Sequence, residues 1–418
     1  MRFRSRPKCF VTTVRDRAVR DISAAFTLAR NASSPNRAGI TLDSVGMMRV
    51  LVANIPLPHN RFLRDLNGAL ERHCEVVHAS DEFWDMNGEY DVVHLHFPEY
   101  LTFEIEQAYR TTLTRALIEA TAERLDYWSQ RASIAITRHV LLPHAARNDP
   151  LWEAMYELVY SYCDGVAHFG QASIAEFEER YSGTVFRRGR NPQHAVIPHQ
   201  NYASLPFSIT RSQARRHFGL LDDTRVMLVF GGVRSREERD FVLDTFGGLT
   251  GRNVLLASSW KEIPANVSWI RLQGWIRQLR RFRYRLDPSY RFNYSFVPED
   301  EAQRYLAAAD IMFIPRKHVL NSGNVALGMT FGLVVVGPSS WNVGELLSST
   351  GNPVFDSDDP NAAVAAVEEG FRLADDGVVG AENRRKALEE WSPEKCAQKY
   401  FDLFTALDGE RSRAPAIT

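Results

Sequence analysis

Cysteine, net charge and long apolar runs are all scarce in this sequence, and each scarcity excludes a class of protein. The cysteines number four and stand far apart, so neither a zinc cluster nor a disulfide framework is indicated, and a reducing cytosol is the expected setting. The formal net charge of −1 lacks the basic excess of a dedicated nucleic-acid binder, so we expect no nucleic acid partner. No uncharged apolar run approaches the roughly 18 residues that a membrane-spanning helix needs. We therefore expect a cytoplasmic protein that could touch a membrane without crossing it.

What the sequence does contain is a regular alternation of strand, loop and helix signals, in a chain too long for one ordinary core. Its 418 residues suggest two or three domains of about 100 to 200 residues each. The alternation begins at Met48 and restarts after Pro206, which predicts the α/β fold class with two doubly wound, Rossmann-like domains built on parallel sheets. We place the first domain at 47–205, the second at 206–385, a last helix at 386–408 and a frayed tail at 409–418.

The first 46 residues differ from the rest of the chain. They hold nine Arg or Lys residues against three Asp residues and show little apolar periodicity. A secretory signal would need a continuous apolar core, which is missing. A disordered basic arm, a targeting peptide and translated sequence upstream of a start at Met47 or Met48 all remain open. We expect residues 1–46 to be a disordered basic extension.

An apolar strand, DVVHLH at 91–96, closes on two histidines. His94 and His96 are two residues apart, so in a strand their side chains point to the same face of the sheet. Ligands of parallel sheets bind beyond the carboxyl ends of the strands, where Glu99 follows this strand and His139 and His144 follow the next. Substrate contact, a structural role and a metal site are the alternatives. Zinc would need three or four ligands at about 2 to 2.3 Å, and no Asp or Cys cluster stands nearby.

Two loops rich in small residues are typical of phosphate binding. Gly231 and Gly232 join a predicted strand to a helix, so an anion can approach the backbone and the helix dipole, and Arg234 adds a bidentate donor. A second loop, Asn321-Ser322-Gly323-Asn324, precedes a predicted helix, which Asn321 or Ser322 can also cap. The second loop supports the phosphate-binding interpretation of the first.

At these residues the sequence resembles GT-B glycosyltransferases, in particular glycosyltransferase family 4 and its relatives. The resemblance covers roughly 48–407 and rests on these segments of the second domain: PHQNYASLP at 198–206, FGGVR at 230–234, VPEDEAQRYLAAADIMFIP at 297–315 and NSGNVALGMTFGLVVVGP at 321–338. In the first domain, DVVHLHFPEY and ITRHVLLPH resemble the acceptor-side loops of bacterial polysaccharide glycosyltransferases. The resemblance implies that the two domains face a cleft, that the second domain holds a nucleotide sugar, and that the helix at 386–408 crosses back to the first domain.

The sequence departs from the family pattern at two places. The family commonly has a Lys three residues after the phosphate-loop Arg, where this chain has Glu237. The family also tends to show two glutamates eight apart near the donor sugar and the ribose, where this chain has Val319 and Leu327. A divergent donor pocket and a catalytically dead copy that binds glycan or sugar nucleotide are both compatible with these departures.

The resemblance implies a hexosyltransferase-type reaction in polysaccharide or glycoconjugate synthesis. A sugar would pass from a nucleotide-diphosphate donor, with uridine or guanosine as the base, to a hydroxyl of a glycan or lipid-linked glycan acceptor. Stabilising the departing diphosphate would fall to Arg234, to Arg236 and to the backbone N–H groups of 322–324. With these groups in place, neither a metal nor another cofactor is expected.

The stereochemistry of transfer is left open by the sequence. An inverting reaction needs a base for the acceptor's proton, and Glu99 is the first candidate, followed by His139 and Asp149. In a retaining reaction His139 would instead contact the donor sugar.

Two charged segments can each be explained either by a structural role or by a functional one. Arginine alternates with aromatic residues at 275–291, which predicts either a solvated helix or a peripheral contact with the inner face of the plasma membrane. Asp358 and Asp359 precede Pro360, so we expect a helix-start turn there rather than a metal-binding pair.

Overall fold

The computed structural model describes residues 46–57, 59–143, 149–260, 284, 286–359 and 361–413. Within these residues two six-stranded sheets form, and all of their strand pairs are parallel. The strands are nearly continuous runs of apolar residues because both faces of a parallel sheet are covered by helices. The predicted α/β class with two Rossmann-like domains is confirmed.

The first sheet has the strand order β2-β1-β3-β4-β5-β6. Its strands are β1 (Arg49–Val52), β2 (Glu75–His78), β3 (Val92–Leu95), β4 (Ser133–Thr137), β5 (Gly165–His168) and β6 (Gln193–Val196). The helices of this domain are α1 (Arg61–Leu70), α2 (Ser80–Trp84), α3 (Phe103–Arg110), α4 (Arg115–Ser129), α5 (Pro150–Ser161) and α6 (Ala172–Arg180), and a 3₁₀ turn spans Pro98–Tyr100.

The second sheet has the strand order β12-β11-β10-β7-β8-β9. Its strands are β7 (Arg225–Gly232), β8 (Asn253–Ser259), β9 (Tyr290–Phe292), β10 (Ile311–Phe313), β11 (Val334–Pro338) and β12 (Val354–Phe355). The accompanying helices are α7 (Arg211–His217), α8 (Arg236–Gly247), α9 (Glu299–Ala308), α10 (Gly323–Thr330), α11 (Trp341–Ser349), α12 (Ala362–Asp376), α13 (Val378–Glu390) and α14 (Pro393–Arg413).

Each sheet reverses its strand order at one place. The reversal lies between β1 and β3 in the first sheet and between β7 and β10 in the second. At such a switch point the loops leave neighbouring strands toward opposite faces, and the crevice beyond their carboxyl ends is where open α/β sheets bind ligands. The fold therefore marks two places for a site, the loops after β1 and β3 and those after β7 and β10.

The last helix, α14, packs against the first sheet although it follows the second domain in sequence. Tyr400, Phe404 and Leu407 are buried in one core cluster with residues of α1 and the first sheet. Gly165 of β5 permits this approach, because a Cβ atom there would lie 2.7 Å from Leu407 Cδ1. The helix thus fastens the end of the chain to the first domain.

Two details of the predicted elements were wrong. The helical signals over about 103–131 predict one long helical region. In the structure the helix ends at Arg110, and the Thr114 hydroxyl, which accepts a hydrogen bond from Leu117 N–H at 3.3 Å, caps a separate helix. The tail predicted to fray from 409 is helical to Arg413, where Glu410 is held by Gln193 and Arg190. The alternation also missed α2, β9, α11, β12 and α13.

Some predictions fall outside the described residues. These include the basic extension, apart from Gly46, and residues 275–283 and 285 of the segment 275–291. Within the described ranges, no helix combines the length and the apolar character that a bilayer crossing requires.

Candidate functional site

A cleft of about 600 Å³ lies between the carboxyl ends of the two sheets. The first domain lines it with His139, Val140, Phe169 and His199, and the second lines it with Gly231, Gly232, Val233, Arg234, Arg316, Asn321, Ser322, Gly323 and Asn324. We call the first set the imidazole wall and the second set the cationic wall. Seven of the eight residues predicted to bind the nucleotide sugar, all except Arg236, are on the cationic wall.

The carboxyl end of β7 brings bare backbone to the cleft. Gly231 has φ of +83°, a left-handed conformation that glycine adopts without a steric cost. Its N–H donates to Ser258 Oγ at 2.8 Å, and Asn324 Nδ2 donates to Phe230 O at 2.6 Å. These two bonds hold the end of β7 against β8 and against the first turn of α10.

Glu238 positions both arginines of the cationic wall. One of its carboxylate oxygens accepts the backbone N–H of Arg234 at 2.7 Å, and the other lies 3.3 Å from Arg316 Nε in an ion pair. The Glu238 backbone N–H in turn donates to Ser235 Oγ at 3.0 Å, which caps α8. Glu238 thereby places Arg316, from the loop after β10, next to Arg234, from the loop after β7.

Sequence reasoning missed a role for Arg316. The only available signal was its place just after a predicted strand, and that position could not reveal its pairing with Glu238. Arg236, which the sequence predicted as a second phosphate ligand, begins α8 and is not among the residues that line the cleft.

The N-terminus of α10 also faces the cleft. Ser322 is its N-cap residue, and the Ser322 hydroxyl is buried and has no hydrogen-bond partner within the described residues. Gly323 packs closely, because a Cβ atom there would lie 2.8 Å from Tyr202 Oη and 3.3 Å from His199 Nε2. A buried hydroxyl beside unpaired helix N–H groups is suited to an anionic oxygen.

Asn321 joins the two domains instead of capping the helix. Its Nδ2 donates to Arg138 O and to His139 O, both at 3.0 Å. Its Oδ1 accepts from Asn342 Nδ2 at 2.6 Å, and Asn342 Oδ1 accepts the backbone N–H of Ser173 in α6 at 2.9 Å. This chain of amides fixes the cationic wall next to His139.

The imidazole wall is built around His139. His139 Nε2 lies 3.0 Å from His96 Nδ1, and the backbone N–H of His96 donates to the side chain of Asn54 at 2.8 Å. Phe97 stacks on the His139 ring with centroids 4.1 Å apart. Burial, followed by the neighbouring imidazoles, lowers the pKa of His139 and of His96 well below the usual value. Both rings are therefore neutral at physiological pH.

His199 is a second imidazole on this wall, and the sequence did not single it out. Its Nδ1 lies 2.8 Å from Gln200 O. The rings of Phe62 and Phe169 are 4.8 and 5.2 Å from the His199 ring, and 5.1 and 5.3 Å from the His139 ring. Burial lowers the pKa of His199 to about 4. Its segment, PHQ after β6, had been noted only for the resemblance.

His94 faces the interior, away from the cleft. Its Nε2 bonds to Thr137 Oγ1 at 2.9 Å, and that hydroxyl donates to Tyr400 Oη of α14 at 3.0 Å. Burial lowers the pKa of His94 to about 3. Within the described ranges, no group of three or more His, Cys, Asp or Glu residues is arranged to hold a metal ion. His144 lies outside the described residues.

Two of the predicted catalytic residues are not brought to the cleft. Glu99 is buried, accepts a hydrogen bond from Tyr156 Oη at 2.7 Å, and has its pKa raised to about 6 by that burial. Asp149 caps α5 by accepting the Leu151 N–H at 2.9 Å. Among the three candidates only His139 lines the cleft. Asp359 accepts the Asn361 N–H at 2.9 Å before α12, which fits the expected turn.

Comparisons with known proteins identify the architecture. Sucrose-phosphate synthase from Thermosynechococcus elongatus matches with a TM-score of 0.60 and 14% identity, over 87% of this chain and 100% of that chain. HepE of Anabaena, solved with UDP-glucose, matches with a TM-score of 0.60 and 13% identity, over 86% of this chain and 100% of that chain. The chain has the GT-B fold. The predicted pair of Rossmann-like domains facing a cleft is thus confirmed.

A plant structure agrees with this assignment. The catalytic domain of starch synthase IV from Arabidopsis thaliana, bound to ADP and acarbose, matches with a TM-score of 0.50 and 12% identity, over 85% of this chain and 79% of that chain. No protein-family model matches the sequence, and no match is found among the curated proteins. At these identities the likeness establishes the GT-B fold and leaves the substrate to be argued from the cleft.

Proposed function

We propose that the protein is a glycosyltransferase that moves a sugar from a nucleotide-diphosphate sugar to an acceptor hydroxyl. The observation that carries the proposal is the pairing of a cationic wall with a neutral imidazole wall across one cleft of the GT-B fold. A nucleotide sugar is likewise divided into a charged part, its diphosphate, and a neutral part, its sugar. HepE and starch synthase IV were solved with UDP-glucose and with ADP, which makes these two nucleotides the first to test.

The cationic wall is suited to the diphosphate. Arg234 and Arg316 supply two permanent charges, and Ser322 Oγ and the start of α10 supply further donors. Such groups stabilise the negative charge that develops on the departing diphosphate during transfer. We propose that they suffice without a metal ion, and that the transferred group is a hexose.

The acceptor and the cellular setting follow the sequence prediction. We propose a glycan or lipid-linked glycan acceptor in polysaccharide or glycoconjugate synthesis. We also propose a cytoplasmic protein with a peripheral contact at the inner face of the plasma membrane. Of the segment that suggested this contact, 275–291, residues 275–283 and 285 lie outside the described residues.

A second candidate function has its own supporting observation. Val319 and Leu327 occupy the positions where the family resemblance expects carboxylates, and both are buried at 4% exposure. Apolar side chains there cannot hydrogen-bond to a ribose or to a sugar hydroxyl. A GT-B relative that binds a glycan or a sugar nucleotide without turnover is therefore the alternative.

A thermal-shift screen of the full chain against UDP, GDP, ADP and their sugars tests the first proposal. A ligand that binds only the folded state raises the melting temperature by mass action. We expect one nucleotide series to stabilise the protein, the Arg234→Ala variant to lose that response, and the Arg216→Ala variant to keep it. Arg216 is a matched control because it is exposed on α7 and does not line the cleft.

Turnover separates the two candidates. Release of UDP, GDP or ADP from the stabilising donor, measured with and without glycan acceptors, supports the transferase. Stabilisation without any release favours the binding protein. The absence of stabilisation at millimolar concentrations of all these nucleotides contradicts both assignments of the cationic wall.

A further inference from the structure

Two histidines of the first domain share a ring-to-ring hydrogen bond, and one of them reaches the cleft. His139 Nε2 lies 3.0 Å from His96 Nδ1. His139 lines the cleft, while His96 is only 2% exposed. A neutral imidazole has one N–H and one lone pair, so one ring must donate and the other must accept. The bond length does not say which ring is the donor.

The far side of His96 settles the direction. His96 Nε2 is buried and has no hydrogen-bond partner within the described residues. An orphaned N–H in a protein interior is rarer than an acceptor that lacks a partner, and leaving a buried donor unpaired costs its desolvation energy. The proton of His96 therefore belongs on Nδ1, where His139 Nε2 can accept it, and the orphaned Nε2 is a bare lone pair.

The neighbouring His94 follows the same rule. Thr137 Oγ1 donates its own proton to Tyr400 Oη, so it must accept from His94 Nε2–H at 2.9 Å. The nitrogen left without a partner in the described residues is His94 Nδ1, again a bare lone pair. Two buried imidazoles thus arrange their protons so that the orphaned atom is never an N–H.

We propose that His96 is a positioning residue that fixes His139 in the tautomer with its proton on Nδ1. His96 Nδ1–H occupies the lone pair of His139 Nε2, so the nitrogen left for a ligand is an N–H donor. Asn54 holds the backbone of His96, and Phe97 stacks on the His139 ring, which opposes a ring flip. In this arrangement His139 donates a hydrogen bond to a ligand oxygen and does not act as a base.

His199 has the opposite hydrogen-bonding sense. A carbonyl oxygen only accepts, so the 2.8 Å contact with Gln200 O places the His199 proton on Nδ1 and leaves Nε2 as an acceptor. Both imidazoles contact the same two rings, Phe62 and Phe169. The geometry points to a ligand hydroxyl that accepts from His139 and donates to His199. Identifying this hydroxyl as one of the sugar rests on the proposed function, whereas the tautomers do not.

Two-bond ¹H–¹⁵N correlation spectra of the full chain with ¹⁵N-labelled histidine test the tautomer directly. The spectra distinguish protonated from bare ring nitrogens, and comparison with His139→Gln and His96→Asn assigns the two residues among the twelve histidines. We expect a protonated Nδ1 and a bare Nε2 in both residues of the unliganded protein. A wild-type spectrum with the His139 proton on Nε2 overturns the proposal.

Variants at position 96 test whether His96 is the cause. His96→Leu removes the donor, so we expect His139 to become a mixture of tautomers, while His96→Asn keeps an amide N–H next to Cγ and should restore the single Nδ1–H form. An unchanged His139 spectrum in a folded His96→Leu protein contradicts the positioning role.

Binding of UDP-glucose and of UDP tests the sugar contact separately. We expect His96→Leu to weaken UDP-glucose binding several-fold more than UDP binding, with His96→Asn in between. Equal losses for the two ligands contradict the sugar contact. Failure of the wild type to bind either ligand speaks against the proposed function, and the tautomer assignment is then decided by the spectra alone.

Discussion

The two walls of the cleft are built by opposite physical means. The cationic wall consists of backbone turns and of arginines held by a buried carboxylate, Glu238. The imidazole wall consists of apolar side chains and of two histidines, His139 and His199, whose pKa values are lowered by burial, so that it carries hydrogen-bonding groups without charge. One cleft can therefore offer a charged surface and a neutral surface side by side. This requires that the buried imidazoles stay neutral, because an unpaired buried charge would be costly.

Loss of the charge on the cationic wall should have the largest effect. The double change Arg234→Ala and Arg316→Ala should lower the affinity for UDP by at least about 100-fold, because each hydrogen bond to a charged group contributes roughly 1.5–3 kcal/mol. The His139→Gln change should leave UDP affinity within a few-fold, since UDP lacks a sugar beyond its diphosphate. Calorimetric titration with UDP checks both. Equal losses of UDP affinity in the two proteins would contradict the assignment of the diphosphate to the cationic wall alone.

The close contact of the two walls at Gly323 should be nearly as sensitive. Gly323→Ala places a Cβ atom 2.8 Å from Tyr202 Oη, whose ring stacks on His199. We expect a loss of up to about 3 kcal/mol in the free energy of unfolding, as for other overpacked sites, together with weaker binding of UDP-glucose.

Chemical denaturation and the same titration measure these two losses. Gly183→Ala is the control, because nothing lies within 4 Å of a Cβ atom at Gly183. If Gly323→Ala binds and unfolds like that control, the two walls are not in contact at this point.

The pH dependence of stability tests whether Glu99 is buried behind the imidazole wall or exposed to the cleft. Burial raises its pKa from the ordinary 4.5 to about 6, so the folded protein bears a desolvation cost once the carboxyl ionises. Below pH 4.5 the group is protonated in both states and the cost is absent; above pH 6 it is present in full. The stability of the wild type relative to Glu99→Gln should therefore fall by about 2 kcal/mol between these pH values, at 1.36 kcal/mol per pKa unit.

Urea denaturation of the wild type and of Glu99→Gln at several pH values measures this difference in stability. The Tyr156→Phe variant removes a hydrogen bond that lowers the pKa of Glu99, so its fall in stability should extend to higher pH. If the difference in stability between the wild type and Glu99→Gln does not change with pH, Glu99 is solvated. Glu99 would then again be a candidate base in the cleft.

The amide chain at Asn321 should give the smallest effect. Asn321→Ala removes two hydrogen bonds to Arg138 O and His139 O, each contributing about 1 kcal/mol, and water can replace part of that contribution. We expect UDP-glucose affinity to fall several-fold, with little change for UDP. Asn361→Ala, at an exposed position before α12, is the control. A fall in UDP affinity of the same size would show that Asn321 supports only the cationic wall.

Local signals in the sequence were enough to predict much of this protein. Alternating apolar runs and breakers predicted the two parallel sheets, and the glycines at 231 and 232 predicted a turn open to an anion. The signals were weaker where an element was short or interrupted, as at Thr114, whose capping hydroxyl divides a helix that periodicity alone had joined.

By itself, then, the sequence determined the fold class, the glycine pair at 231 and 232 and the polar loop at 321–324. Only the tertiary structure decided that Glu238 pairs with Arg316, that His96 hydrogen-bonds to His139 across 43 residues, and that Glu99 and Asp149 point elsewhere. The physical reason is that local periodicity encodes which residues are buried, whereas the partner of a buried polar group depends on strand order and on how the domains meet.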